Sequence, residues 1–281
     1  MARELTGALE TSAPAPQVET GSLLPGSKLL ALSPRSGWVW VGCFLAGLLA
    51  GEVLALVVAS VVGVALGHGS ALSSVASRSV LPPWYVVSSL LGLWLGFLGG
   101  AALAVRVAGT GQGRAELGLS ARPLDLIGLP IGLACQGAIA VLYALAAGTN
   151  QDLSGPAHKL ADGFHGWAVV VIVVLTGVGA PVVEEIFFRG VLLRGLASLT
   201  LTGRRTTVSV VLAGAAAVVL DGLCFAAAHA QGLQFAGLAA LGVVLALCHL
   251  RTGRLGMSIA AHMAFNLVAV LALVGVVGGP R

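Results

Sequence analysis

The sequence predicts an all-α fold, a polytopic transmembrane bundle of about seven to eight helices with its N-terminus in the cytoplasm. Of 281 residues, 57% are hydrophobic and 9% charged, and mean hydropathy is +0.99; soluble domains carry roughly 25% charged residues. Apolar runs at about 38–66, 84–105, 124–147, 167–193, 207–229, 233–250 and 255–277 are each long enough to cross about 30 Å of hydrocarbon as a helix. None shows the period-two alternation of an outer-membrane barrel strand.

Residues 1–37 mix Ser, Thr, Pro and Gly without an apolar stretch after Arg3. They read as a disordered cytoplasmic tail rather than a signal peptide, and 38–281 as one transmembrane domain. The early spans carry GxxxG spacings at Gly47–Gly51, Gly63–Gly67, Gly92–Gly96 and Gly128–Gly132. Such pairs permit close helix approach, and in a chain with 40 glycines they are read as intramolecular packing rather than dimerisation.

Glu52 in the first span and Asp221 in the fifth stand among apolar neighbours, so each is expected to bond a neighbouring helix. Asp221, Phe225 and His229 also fall at i, i+4 and i+8, which offers Asp221 a second reading as an orienter of His229. Pro181 predicts a kink in the long 167–200 stretch, freeing backbone carbonyls; if that stretch is two pieces, an eighth helix results. The polar loops, about 67–83, 106–122 and 148–166, are too short for further domains. Cys43, Cys135, Cys224 and Cys248 lie in apolar runs without metal spacing and read as packing residues.

A net charge of +4 does not imply nucleic acid, because the basic residues are sorted by loop. With the N-terminus inside, Arg3, Lys28, Arg35, Arg106, Arg114, Arg122, Arg194, Arg204, Arg205, Arg251 and Arg254 fall inside, while Arg78, Lys159 and Arg281 fall outside. Eleven against three is the positive-inside pattern. The multi-pass chain is assigned to the cell membrane, and its Ala, Gly, Val and Arg bias to a GC-rich bacterial genome.

Chemistry concentrates in the C-terminal half. Glu185 with Arg189, Phe225 with His229, and His262 with Asn266 are i, i+4 pairs, each on one helix face. Ionisable groups at membrane depth cost roughly 2.5–3.5 kcal/mol each, so several of them together imply use. An arginine cannot discharge itself and should pair with Glu185 one turn away, leaving Glu184, about 100° round the helix, to face a cavity. Glu184 in a low-dielectric pocket suits a general base for water, and His262 and Asn266 can donate to an oxyanion. Two histidines and a glutamate also match a catalytic zinc set at Glu184, His229 and His262, with a fourth position for water. Both versions describe water-driven amide hydrolysis.

Glu184-Glu185-Ile186-Phe187-Phe188-Arg189, Phe225-Ala226-Ala227-Ala228-His229 and His262-Met263-Ala264-Phe265-Asn266 resemble, in order, the EExxxR, FxxxH and HxxxN motifs of the CPBP family. That family of intramembrane proteases includes the Rce1-type CAAX prenyl endopeptidases and the bacteriocin-processing Abi proteins. The resemblance covers about 120–275. It implies an endopeptidase acting on a membrane-associated or lipid-modified protein or peptide, in CAAX-type processing or peptide maturation. Glu184 would activate water with help from His229, and His262 with Asn266 would bind the oxyanion. Glu185 and Arg189 would support the site, with Phe225 as an apolar wall. The family's metalloprotease label keeps zinc in view, beside a metal-independent glutamate mechanism.

Two other classes use the same residues. A secondary transporter would place a carboxylate and histidines at the midplane, but the spans before residue 120 hold no counterpart of the cluster. A non-catalytic scaffold or immunity protein has no need to keep so costly a set. Asp162 and His165 at i, i+3 form a weak metal pair, read as solvated loop residues. One tension remains: along their helices, His262 lies about 12 Å from the inner face and His229 about 36 Å. Convergence of Glu184, His229, His262 and Asn266 within hydrogen-bond or one-water reach is nevertheless expected.

Overall fold

The computed structural model describes residues 34–68, 75, 78–147, 155–201, 203 and 206–275, and among them every regular element is helical. The chain runs through α1 (Pro34–Ala65), α2 (Pro83–Ala108), a single turn α3 (Gly113–Glu116), a 3₁₀ turn (Pro123–Ile127), α4 (Gly128–Ala147) and α5 (Gly155–Ala161). It continues through α6 (Ala168–Val174), α7 (Ala180–Phe187), α8 (Arg194–Leu201), α9 (Thr207–Ala228), α10 (Phe235–Thr252) and α11 (Gly256–Leu273). Helix begins inside the expected tail, at Pro34; the rest of that tail, and Arg204, Arg205 and Arg281, lie outside the described residues.

Seven helices among the described residues are long and apolar enough to cross a membrane. The fourth, Ala168–Leu201, is one span of 34 residues, so no eighth helix arises from it. It keeps its continuity through two π-helical turns, Leu175–Gly179 and Phe188–Leu193. The first immediately precedes Ala180 and Pro181. Proline offers no N–H to the preceding turn, and the wider π turn absorbs the irregularity expected there as a kink.

The glycine pairs explain the tight packing of α1 on α2. A Cβ at Gly96 would stand 2.2 Å from the Gly51 nitrogen, and one at Gly92 would meet the Leu54 carbonyl oxygen at 2.4 Å. On α4, Gly128 and Gly132 lie against the Met257 and Ala261 backbones of α11. The fourth spacing is different: a Cβ on Gly63 would meet Trp84, whereas one on Gly67 would point into open space, and Gly67 sits at φ +75° in the turn after α1. A motif that looks like packing in sequence is there partly a turn. Glu52 also departs from expectation, since it is exposed on the outer face of α1 rather than bonded to a neighbouring helix.

Five phenylalanines bind the span that carries the glutamates to its neighbours. Phe187 stacks between Phe44 and Phe97, with centroids at 4.4 and 4.1 Å, and Phe188 meets Phe225 edge-on at 5.2 Å. Offset and edge contacts of this kind add about 0.5–1.5 kcal/mol per pair beyond burial. They form a rigid floor beneath the polar residues.

At one end of the bundle a polar belt fixes the start of α11. The Leu255 N–H donates to the Gly118 carbonyl at 2.9 Å, and Arg254 Nη2 pairs with Asp125 at 2.7 Å. Gly118 sits at φ +69° against His249, a combination only glycine accepts readily. Glu116 accepts hydrogen bonds from the Thr110 backbone and hydroxyl, while Arg194 donates to its carbonyl oxygen at 2.7 Å. Burial alone would raise the Glu116 pKa, but the Thr110 hydrogen bonds and the Arg194 charge outweigh it and hold the carboxyl below its ordinary range. A depressed carboxylate stabilises the fold above its unfolded pKa and loses that contribution as pH falls through the folded one. Thermal stability in detergent should therefore drop as pH falls below about 4.5, and Glu116→Gln should flatten that drop; equal slopes in both proteins would refute the assignment.

Distance along a helix equals depth only when the helix stands upright. The two histidines nevertheless converge, His229 at the end of α9 and His262 within α11 standing 3.9 and 3.8 Å from Glu184.

Candidate active site

Glu184 and Glu185 are adjacent on α7 and face different ways. Glu185 is fully buried, and its Oε1 accepts from Arg189 Nη1 at 2.9 Å and pairs with His262 Nδ1 at 3.0 Å. Glu184 is partly open, with its Oε2 buried, free of any hydrogen bond, and 3.8 Å from His262 Nε2 and 3.9 Å from His229 Nε2. Both separations exceed a direct hydrogen bond.

Each histidine is aimed by its other nitrogen. α9 ends at Ala228, and His229 is its C-cap, with its N–H turned to Ala226 and Ala227. That leaves the Phe225 carbonyl, an orphan of the last turn, to accept from His229 Nδ1 at 2.8 Å. With a carbonyl as partner, Nδ1 carries the proton and the Nε2 facing Glu184 holds a lone pair when the ring is neutral. His262, on α11 and 2% exposed, is oriented in the same manner by Glu185.

The residue after His229 bears the local cost. Ala230 sits at φ +51°, the one non-glycine residue with positive φ among those described. Alanine in this conformation costs roughly 1 kcal/mol relative to glycine. Ala230→Gly should raise stability by about that amount in thermal unfolding, and a lower midpoint would contradict the account.

Phe225 does more than line a wall. Its ring centroid lies 4.6 Å from His229, 5.5 Å from His262 and 4.7 Å from the Arg189 guanidinium carbon, so one ring spaces both imidazoles from a buried cation. Asn266 is one turn beyond His262 and donates Nδ2 to the Thr176 carbonyl at 3.0 Å, which belongs to the first π turn. One amide hydrogen is thereby spoken for and the second remains.

The i, i+4 reading placed Arg189 on Glu185; it missed that Glu185 also holds His262. Arg189 further donates to the Gly242 carbonyl at 2.9 Å, and its Nε lies 3.4 Å from Asp221. Asp221 therefore faces a cation on a neighbouring helix without a hydrogen bond to it, while His229 takes its orientation from Phe225. Asp162 pairs with His158 at 2.9 Å.

A zinc held tetrahedrally with bonds near 2.1 Å needs donors about 3.4 Å apart. Glu184 stands wider than that from both histidines, and no three described His, Cys, Asp or Glu side chains are grouped to hold an ion. Separations of 3.8 and 3.9 Å leave room for a water between the carboxylate and either imidazole.

The family model described as type II CAAX prenyl endopeptidase Rce1-like matches residues 166–268, a stretch that contains all seven cluster residues. Residues 166–268 belong to the Rce1-like family. No curated protein and no solved structure matches the chain. The Rce1-like match supports a protease role of the intramembrane CAAX type for this multi-pass membrane chain.

Proposed function

We propose that the chain is an endopeptidase that hydrolyses a peptide bond of a membrane-associated or lipid-modified protein with water activated by Glu184. The observation that carries this is the Glu184 carboxylate facing two imidazole Nε2 atoms at 3.8 and 3.9 Å, each ring held from behind. Glu184 takes a proton from water, with the His229 lone pair accepting the other hydrogen. The hydroxide adds to the scissile carbonyl carbon. His262, held from behind by Glu185, donates Nε2–H to the oxyanion, and Asn266 offers its second amide hydrogen; each such donor contributes roughly 3–4 kcal/mol. Glu184 then returns its proton to the leaving nitrogen as the C–N bond breaks. Glu184 lies halfway along a 34-residue span, which suits a substrate presented from within the bilayer.

The same proposal sets the N-terminus in the cytoplasm. Exposed Arg106, Arg114, Arg122 and Arg251 crowd the end where α2 and α10 finish and α4 begins. The test is cleavage of a C-terminally farnesylated CAAX peptide, and of an unlipidated transmembrane peptide, by protein in anionic vesicles. Cleavage should require Glu184 and His229. Proteolysis unaffected by both Glu184→Ala and His229→Ala would sink the reading.

A further inference from the structure

We propose that Asp221 is a positioning residue that holds both histidines of the hydrolytic centre through Arg189; this deepens, and rests on, the reading above. Asp221 is fully buried, and neither carboxylate oxygen has a hydrogen-bond partner among the described residues. Among the described residues, the opposite charge it faces is Arg189 Nε at 3.4 Å. Arg189 already has a carboxylate in Glu185 at 2.9 Å, so a second buried acid adds a desolvation cost of several kcal/mol that neutralising the arginine does not require.

The geometry gives Asp221 a use. The guanidinium is held on three edges: Nη1 by Glu185, Nη2 by the Gly242 carbonyl and Nε by Asp221. The chain of contacts then runs from Asp221 through Arg189 and Glu185 to His262 Nδ1, and so to the ring face turned to Glu184. The same contact sets the register of α9 against α7. Arg189 lies five residues beyond Glu184, and Asp221 eight residues before His229, so fixing one pair fixes the height of the other. Two glycines permit the arrangement: a Cβ on Gly242 would stand 2.7 Å from the Gly222 Cα, and this close crossing brings the Gly242 carbonyl to the arginine beside Asp221. The acidic and basic groups facing Asp221 are Arg189 and Glu185.

The test compares wild type, Asp221→Asn and Asp221→Ser in vesicles, with kcat and KM expressed per folded enzyme, and the imidazole nitrogen signals of ¹⁵N-histidine-labelled protein assigned with His262→Gln. Loss of an outer-shell orienting partner typically costs 10–100-fold in activity. The expected result is kcat lower by about that factor in Asp221→Asn, KM within about twofold, and altered His262 signals. Unchanged signals, or an unchanged kcat, would overturn the proposal, as would failure of both variants to fold, which assigns Asp221 to structure alone. Glu184→Ala is the separate check on the underlying mechanism; should it remain active, that mechanism fails and the histidine signals decide the role of Asp221.

Discussion

Replacing Glu184 by glutamine is expected to lower kcat for a membrane peptide about a thousandfold, within the range a positioned general base contributes. The change should leave unfolding free energy within about 1 kcal/mol, because the side chain is partly open and its Oε2 makes no hydrogen bond to protein. Glutamine keeps the volume and one acceptor oxygen but cannot take a proton from water. His262 cannot take over, because a ring that donates to the oxyanion has no lone pair left; the His229 Nε2 lone pair, left open because Nδ1 donates to the Phe225 carbonyl, sets the residual rate. KM should move little, since Glu184 is placed for the reacting water rather than for the substrate. A variant that retained more than about a tenth of wild-type kcat, well above the loss assigned to a general base, would show that the proton goes elsewhere.

Much of this centre was legible because helical periodicity is local. Glu185 with Arg189 is a same-face pair that the sequence alone specifies, and the structure shows it at 2.9 Å. The seven spans follow from length and hydropathy in the same way. The contacts that escaped the sequence cross between helices: Glu185 to His262, 77 positions apart, Arg189 to Gly242, 53 apart, and Asn266 to Thr176, 90 apart. Such contacts depend on how helices incline and approach, which is set by glycines such as Gly222 and Gly132 and by two π turns that leave no periodic trace. Asp221 carried the one usable signal, a lone acid in an apolar run. The sequence points it to a neighbouring helix, with His229 as a second reading, and only the approach of α9 to the glutamate span shows Arg189 as its partner.

Arg189→Met is expected to destabilise the protein by about 3–5 kcal/mol, the cost of removing one partner from a buried ionic group. Arg189 is fully buried and touches Glu185, Asp221 and the Gly242 carbonyl. Methionine fills much of the volume, so the loss is electrostatic: two carboxylates and a carbonyl remain without their cation in a medium that cannot solvate them. The cation also sits 4.7 Å from the Phe225 ring, a contact worth about 2 kcal/mol when desolvated. Adding Glu185→Gln and Asp221→Asn to Arg189→Met removes the stranded charges and should recover a large part of the loss, since a buried ion pair replaced entirely by neutral groups is often no less stable. Activity should not return with stability, because the triple variant no longer holds His262 by a carboxylate. Equilibrium unfolding in detergent, read beside the vesicle cleavage assay, separates the two. Recovery of cleavage along with the fold would show that the Arg189 cluster serves packing and not the orientation of His262.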